Sequence, residues 1–147
     1  MTHDAPAEAE IRSLIGRQAR AIHDKDAKAA VACYTADSVI FDLAPPLRNT
    51  ASGAQGEPGL NEWFATWRGP IGYETRDLAI AVSGDLACCH GFVRISGTKT
   101  TGEQADVWVR QTLCLPKLGG AWKIAHEHMS VPFYMDGSYR AAIDLKP

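Results

Sequence analysis

The chain changes its hydrophobic rhythm near its middle. In "AEAEIRSLIGRQARAIHDKD", Ile11, Leu14, Ile15, Gln18, Ala19 and Ile22 recur at three- and four-residue spacing. That spacing places them on one face of a helix. "DAKAAVACYTAD" reads as a short second helix, with Asp26 positioned to cap it. "SVIFDL" is a short β-rich run, and "APPLRNTASGAQGEPG" is a loop rich in Pro, Gly and Ser. "GLNEWFATWRG" returns to helical spacing through Leu60, Trp63, Phe64 and Trp67.

The second half alternates instead. "YETRDLAIAVSGD", "LACCHGFVRISGT", "EQADVWVRQTLCL" and "AWKIAHEHMSV" are four β-type segments separated by short glycine-bearing breaks. Short connections favour hairpins and an antiparallel meander. Helices first and strands later predict an α+β fold, with three N-terminal helices on one face of a curved, mostly antiparallel sheet. Neither a repeat nor a linker interrupts the chain, so one domain over 1–147 is expected.

Alternation also sorts side chains by face. The last segment sets Trp122, Ile124, His126, His128 and Ser130 against Ala125, Glu127, Met129 and Val131. The one before sets Val107, Val109, Gln111 and Leu113 against Trp108, Arg110, Thr112 and Cys114. "LACCHGFVRIS" sets Leu86, Cys88, His90, Phe92 and Arg94 against Ala87, Cys89, Gly91, Val93 and Ile95. The pattern alone does not say which face is inside. Both faces of the last strand are partly apolar, which predicts helices on one side and a second subunit on the other.

Composition narrows the function. The 147 residues carry a net charge of −2, so no basic field draws in nucleic acid or anionic lipid. No apolar run is long enough to span a bilayer. "MTHDAPAEAE" lacks the apolar core of a signal peptide, so a cytoplasmic location is expected. Cys33, Cys88, Cys89 and Cys114 form no C-x-x-C pair and read as small buried apolar residues.

Four constellations carry candidate chemistry. Asp42 ends a short strand before the apolar "LAPPL" stretch. Apolar neighbours raise a carboxylate's pKa toward use as a base, whereas a strand-end Asp also commonly caps loop backbone. His90 and Arg94 flank Phe92 on one face, a set that suits binding of an enolate or carboxylate oxygen with proton shuttling. The alternative is an ion pair from Arg94 to Glu127 or Asp42. Glu127 is then either a second carboxylate or that counter-ion. His126 and His128 share a face and could hold a metal, although no third ligand is evident. An interface is the simpler reading of that pair, and no metal or other cofactor is expected.

At "CYTADSVIFD" the pattern resembles the nuclear transport factor 2-like superfamily, which includes SnoaL-like cyclases, ketosteroid isomerases, scytalone dehydratases and a kinase association domain. The ending "GGAWKIAHEHMSVP" resembles the end of that association domain. The resemblance covers nearly the whole chain and implies a cone with a pocket at its open end. Laid without gaps on the isomerase pattern, Asp42 falls on the proton-abstracting aspartate and Tyr34 on a helix-2 tyrosine. Gln18 replaces the oxyanion-hole tyrosine, Phe64 a second network tyrosine, and Gln111 falls at or near the protonated aspartate. The same placement points His90, Phe92, Arg94, Glu127 and Met129 inward and His126 and His128 outward. Trp63 and Phe64 wall the pocket from the third helix, and Val109 joins Gln111 on the lining face.

These observations lead to a pocket for a small, largely apolar ligand. If the chain is an enzyme, Asp42 abstracts a proton next to a carbonyl, with His90, Arg94, Gln111 or Glu127 assisting. The alternative is a ligand-binding or oligomerisation module without turnover. A homodimer through the outer sheet face is expected in either case.

Overall fold

Asp4 starts the first helix, its carboxylate accepting the Ala7 N–H at 3.1 Å. The computed structural model describes residues 4–53 and 55–147, so position 54 of the proline- and glycine-rich loop lies outside it. Helix α1 (Ala5–His23) buries Ile11, Leu14, Ile15, Gln18 and Ile22 on one face. Asp26 caps α2 (Ala27–Val31) by accepting from the Ala29 N–H at 3.0 Å. This helix is shorter than its helical spacing predicts. Strand β1 (Tyr34–Phe41) begins inside that segment, where aromatic and β-branched residues replace alanines. Tyr34 therefore opens a strand rather than closing a helix.

A two-residue strand β2 (Asn49–Thr50) follows, then α3 (Glu57–Phe64). Trp67, assigned above to the third helix, instead opens the long strand β3 (Trp67–Ser83). Strands β4 (Leu86–Lys99) and β5 (Gln104–Leu118) complete the meander. The last segment is split at Lys123 into β6 (Ala121–Trp122) and β7 (Ile124–Ser130). The sheet order is β2–β1–β7–β5–β4–β3, with β6 paired to β5. Neighbours are antiparallel except β1 with β7. The result is an α+β cone: helices on the concave side of a curved, unclosed sheet.

Two features bend the sheet. Beside β4, β3 shifts register between Arg76 and Ala79, and Asp77 takes a positive φ of 53°. Gly91 lies opposite that bulge. A Cβ there would stand 3.0 Å from the Arg76 carbonyl oxygen and 3.2 Å from the Leu78 Cα, so any side chain would press on the bulged backbone. Beside β7, β1 shifts register between Tyr34 and Val39. That shift accompanies a change of face in the last segment. Trp122 and Ile124 are buried, yet so are Glu127 and Met129 three and five residues beyond Ile124. The strict alternation read above fails there.

The core has two apolar clusters. One gathers Ile11, Leu14 and Ile15 with Cys89, Leu113, Leu115 and Ile124. The other gathers Ile22, Phe64, Ile71, Val93, Val109 and Met129. Of the elements that thread both clusters, three place a polar residue at the crossing: Gln18 on α1, Gln111 on β5, Glu127 on β7. The cysteines divide. Cys33 and Cys89 are buried, and burial pushes the Cys89 thiol up to about 12. Cys88 is exposed and Cys114 half-buried, facing each other across β4 and β5, which corrects their assignment to the core.

Candidate functional site

A cavity of about 300 Å³ opens between α1, α3 and the sheet. Its apolar wall includes Ile22, Ile40, Leu60, Trp63, Ile95 and Met129. Its polar atoms come from Gln18, Tyr34, Tyr73, Asn49, Asp42 and Glu127, with Gln55 at the side of Asp42. A mostly apolar hollow with a few convergent polar groups is what a small-molecule site looks like.

Strand register brings the two carboxylates to one wall. Ile40 pairs with Glu127 across β1 and β7. Asp42 follows Ile40 by two residues, so it continues the same pleated face toward the rim. Its carboxylate accepts the Leu43 N–H at 2.8 Å and the Gln55 side-chain amide. The backbone cap foreseen for Asp42 is thus present, and the same side chain lines the cavity.

Glu127 is buried, at 5% exposure. Burial raises its pKa, and the nearby Asp42 charge adds to that, while hydrogen bonds from Tyr34 and Gln111 oppose it. Tyr34 Oη donates to Glu127 Oε1 at 2.8 Å, and Gln111 Nε2 donates to Oε2 at 2.7 Å. Gln18 Nε2 in turn donates to Tyr34 Oη. Tyr73 is a hydrogen-bond partner of Gln111, and burial holds its phenol well above the usual range. Tyr34 is held up in the same way, by burial first and by the Glu127 charge second. A buried carboxylate without partners is very costly, and these two charge-assisted bonds are what make it tolerable.

Of the residues expected at the site, Asp42, Glu127, Gln18, Tyr34, Trp63 and Met129 line this cavity. Gln111 sits behind Glu127 and holds it. Phe64 and Val109 are buried in the second cluster rather than at the cavity surface. His90, Phe92 and Arg94 are corrected outright. Val93 and Ile95 are the inward residues of β4, so its other face points away from the helices. His90 is exposed. Arg94 is bound on both Nε and Nη2 by Asp106, each at 2.8 Å, and Glu74 lies 3.9 Å away. The ion pair foreseen for Arg94 exists, but with neither Glu127 nor Asp42. His126 and His128 face outward, edge-on to Phe41 with ring centroids 4.9 and 5.4 Å away. Among the described residues, no third side chain joins them to complete a metal set.

Sequence reasoning missed Tyr73. Its alternation with buried Ile71 carried the signal, because the two share a face of β3. Gln55 lies in the loop and Asn49 in the two-residue strand β2, neither long enough in period to assign a direction.

The profile of the SnoaL-like domain matches residues 11–134. The chain belongs to the SnoaL-like family. A nuclear transport factor 2-like protein of unknown function from Pseudomonas putida KT2440 is 32% identical, with 99% of this chain and 100% of that one covered and a TM-score of 0.87. A nuclear transport factor 2-like superfamily protein from Salmonella enterica shares 15% identity over 94% of this chain and 99% of its own, at a TM-score of 0.76. The association domain of CaMKII from C. elegans shares 16% identity over 85% and 95%, at 0.66. The last two show a common fold alone. No curated protein matches the chain significantly. Within this SnoaL-like chain, no described helix is long and apolar enough to cross a membrane.

Proposed function

We propose that this SnoaL-like chain binds a small, largely apolar carbonyl compound in the cavity and moves a proton at the carbon beside the carbonyl. The observation that supports this reading is the pairing of environments on one wall. Asp42 stands at the rim, held by the Leu43 N–H and the Gln55 amide, while Glu127 lies deep and desolvated. Two carboxylates in such different settings take different roles.

Asp42 is the base in this reading. The Leu43 N–H and the Gln55 amide hold its carboxylate in place, and the C–H proton passes to its oxygen. The electron pair moves onto the carbonyl oxygen and forms an enolate. Tyr73 is placed to answer it. Its oxygen is engaged with Gln111, so its own proton is available to donate into the cavity. Asp42 then returns the proton to another carbon, giving isomerisation, or a neighbouring hydroxyl leaves as water with that proton, giving dehydration. Neither path calls on His90 or Arg94, and the base and the donor are both side chains.

Proton–deuterium exchange separates this reading from mere binding. In D₂O, a ketone that fits the cavity should gain deuterium at its α-carbon, followed by NMR. Asp42→Asn should slow that exchange by at least about 100-fold with the ligand still bound. Unchanged exchange would remove Asp42 as the base.

A second reading concerns self-association through the outer sheet face. Phe41, His126 and His128 form an edge-on aromatic group there, and the neighbouring Leu43 and Leu47 are exposed. Light scattering at micromolar concentration should give the mass of two chains. A monomer mass would reject it.

A further inference from the structure

The cavity wall carries side-chain amides from Gln18, Asn49 and Gln55. Gln18 donates to Tyr34 and Gln55 to Asp42. Asn49 is only 7% exposed, yet its amide has no hydrogen-bond partner among the described residues. Nor is that amide sealed away. The side-chain polar atoms closed off without a partner are Gln18 Oε1, Thr35 Oγ1, Ser38 Oγ and Trp67 Nε1, and those of Asn49 are not among them. Strand pairing explains where it opens. β2 pairs Asn49 with Ile40, and β7 pairs Glu127 with Ile40, so the three stand in one row on the inner face. Asp42 continues that face two residues past Ile40. This makes it the diagonal neighbour of Asn49, roughly 7–8 Å away between Cα atoms. The free amide thus faces the cavity beside Asp42, close enough for one small ligand to touch both.

A buried polar group without a partner is costly and uncommon in folded proteins. Whichever way it is turned, an amide presents one donor end and one acceptor end side by side, and it carries no charge. A lone ketone engages the N–H and leaves the amide oxygen bare. A carboxylate also brings acceptors only, and its charge would meet Asp42 and Glu127 with no Lys, Arg or His among the described lining residues to balance it. A ketone with a hydroxyl on the adjacent carbon matches both ends at once. Its carbonyl oxygen accepts from Asn49 Nδ2, and its hydroxyl donates to Asn49 Oδ1.

We infer that the ligand of this cavity is a neutral α-hydroxy ketone, and that Asn49 is the specificity-determining residue that reads its two oxygens together. This deepens the reading of the cavity as a carbonyl-binding site and rests on it. The carbonyl oxygen has two lone pairs, so the bond from Asn49 leaves one for the donor proposed above. The hydrogen on the hydroxyl-bearing carbon is the one beside the carbonyl, the position that reading assigns to Asp42. The apolar remainder of the ligand lies along Ile22, Leu60, Trp63 and Met129. A hydroxyl that merely occupies an apolar pocket is poorly discriminated from a methyl group. One that completes a hydrogen bond in the protein is selected over the analogue that cannot make it.

The test uses two probes of nearly the same size, 2-hydroxyacetophenone and propiophenone, in which a hydroxyl and a methyl group occupy the same place. Both are titrated into the full chain and followed by NMR. 2-Hydroxyacetophenone should bind about tenfold more tightly or better. In Asn49→Leu, which keeps the side-chain size and loses both hydrogen-bonding ends, that preference should fall to about one while propiophenone still binds. The Asn49 side-chain amide signal gives a second readout in the natural chain. It is assigned by its loss in Asn49→Leu, and it should shift as 2-hydroxyacetophenone saturates the protein. Equal binding of the two probes to the natural chain overturns the inference and leaves the cavity reading intact, with water then the partner of the amide. A preference that survives Asn49→Leu, or an amide signal that stays in place at saturation, also overturns it, since another group would then read the hydroxyl. If neither probe binds, the inference and the cavity reading fail together.

Discussion

The two faces of the central sheet carry similar residues and differ in what surrounds them. On the outer face, Arg94 and Asp106 form a bidentate pair across β4 and β5, open to solvent. On the inner face, Glu127 and Gln111 are buried and form a network with half-buried Tyr34. Water screens the first pair, which lowers the worth of an already modest interaction. The second has no water to fall back on, so each bond there matters and each pKa is displaced. Residue types capable of chemistry are therefore a weak guide. Desolvation on one wall of a cavity is the stronger one.

The contrast is broken most severely by removing the donor proposed to meet the enolate. Tyr73→Phe should cut turnover of a carbon acid by about 100-fold or more. Ligand affinity should change far less, which steady-state kinetics beside a binding titration will show. A smaller effect falls on stability. Gln111→Leu leaves one Glu127 oxygen without its donor in the interior, and should cost about 1–3 kcal/mol in denaturant unfolding. No loss would mean that the network does not hold the fold.

A pH series sharpens the same comparison. Burial raises the Glu127 pKa above its ordinary value of about 4.3, so the folded chain holds that proton more tightly than the unfolded one. The stability linked to it is complete below about pH 4 and is lost as pH rises through the folded pKa. Glu127→Gln cannot titrate. Its melting temperature should therefore gain on that of the natural chain across this window and keep a constant offset above it. An offset that never changes with pH would contradict the displaced pKa. The smallest effect belongs to the outer face: Arg94→Ala and His90→Ala should leave turnover unchanged and stability within measurement error.

Much of the architecture was legible in the sequence. The helical spacing from Ile11 to Ile22 and the glycine-marked hairpins led to helices on a meander. Face was harder. In β4, Ala87, Cys89, Gly91, Val93 and Ile95 are uniformly small or apolar, while the alternate set holds His90 and Arg94. Composition alone favoured burial of the first set. The gapless placement on the isomerase pattern chose the second, and on a strand an error of one residue exchanges every side chain. In β7 no period could have sufficed, because the irregularity opposite β1 changes which face is buried part-way along. Asp42 was legible as a strand end before an apolar loop. Its partner Gln55 was not, since a loop has no repeat from which direction is read.

The most direct test compares the two faces in one experiment. α-Deuterium incorporation into a ketone that fits the cavity would be followed for the natural chain, for Asp42→Asn, and for the double variant His90→Ala/Arg94→Ala. The account predicts exchange lost in the first variant and retained in the second. Exchange retained in Asp42→Asn and lost in the double variant would place the chemistry on the outer face and contradict it.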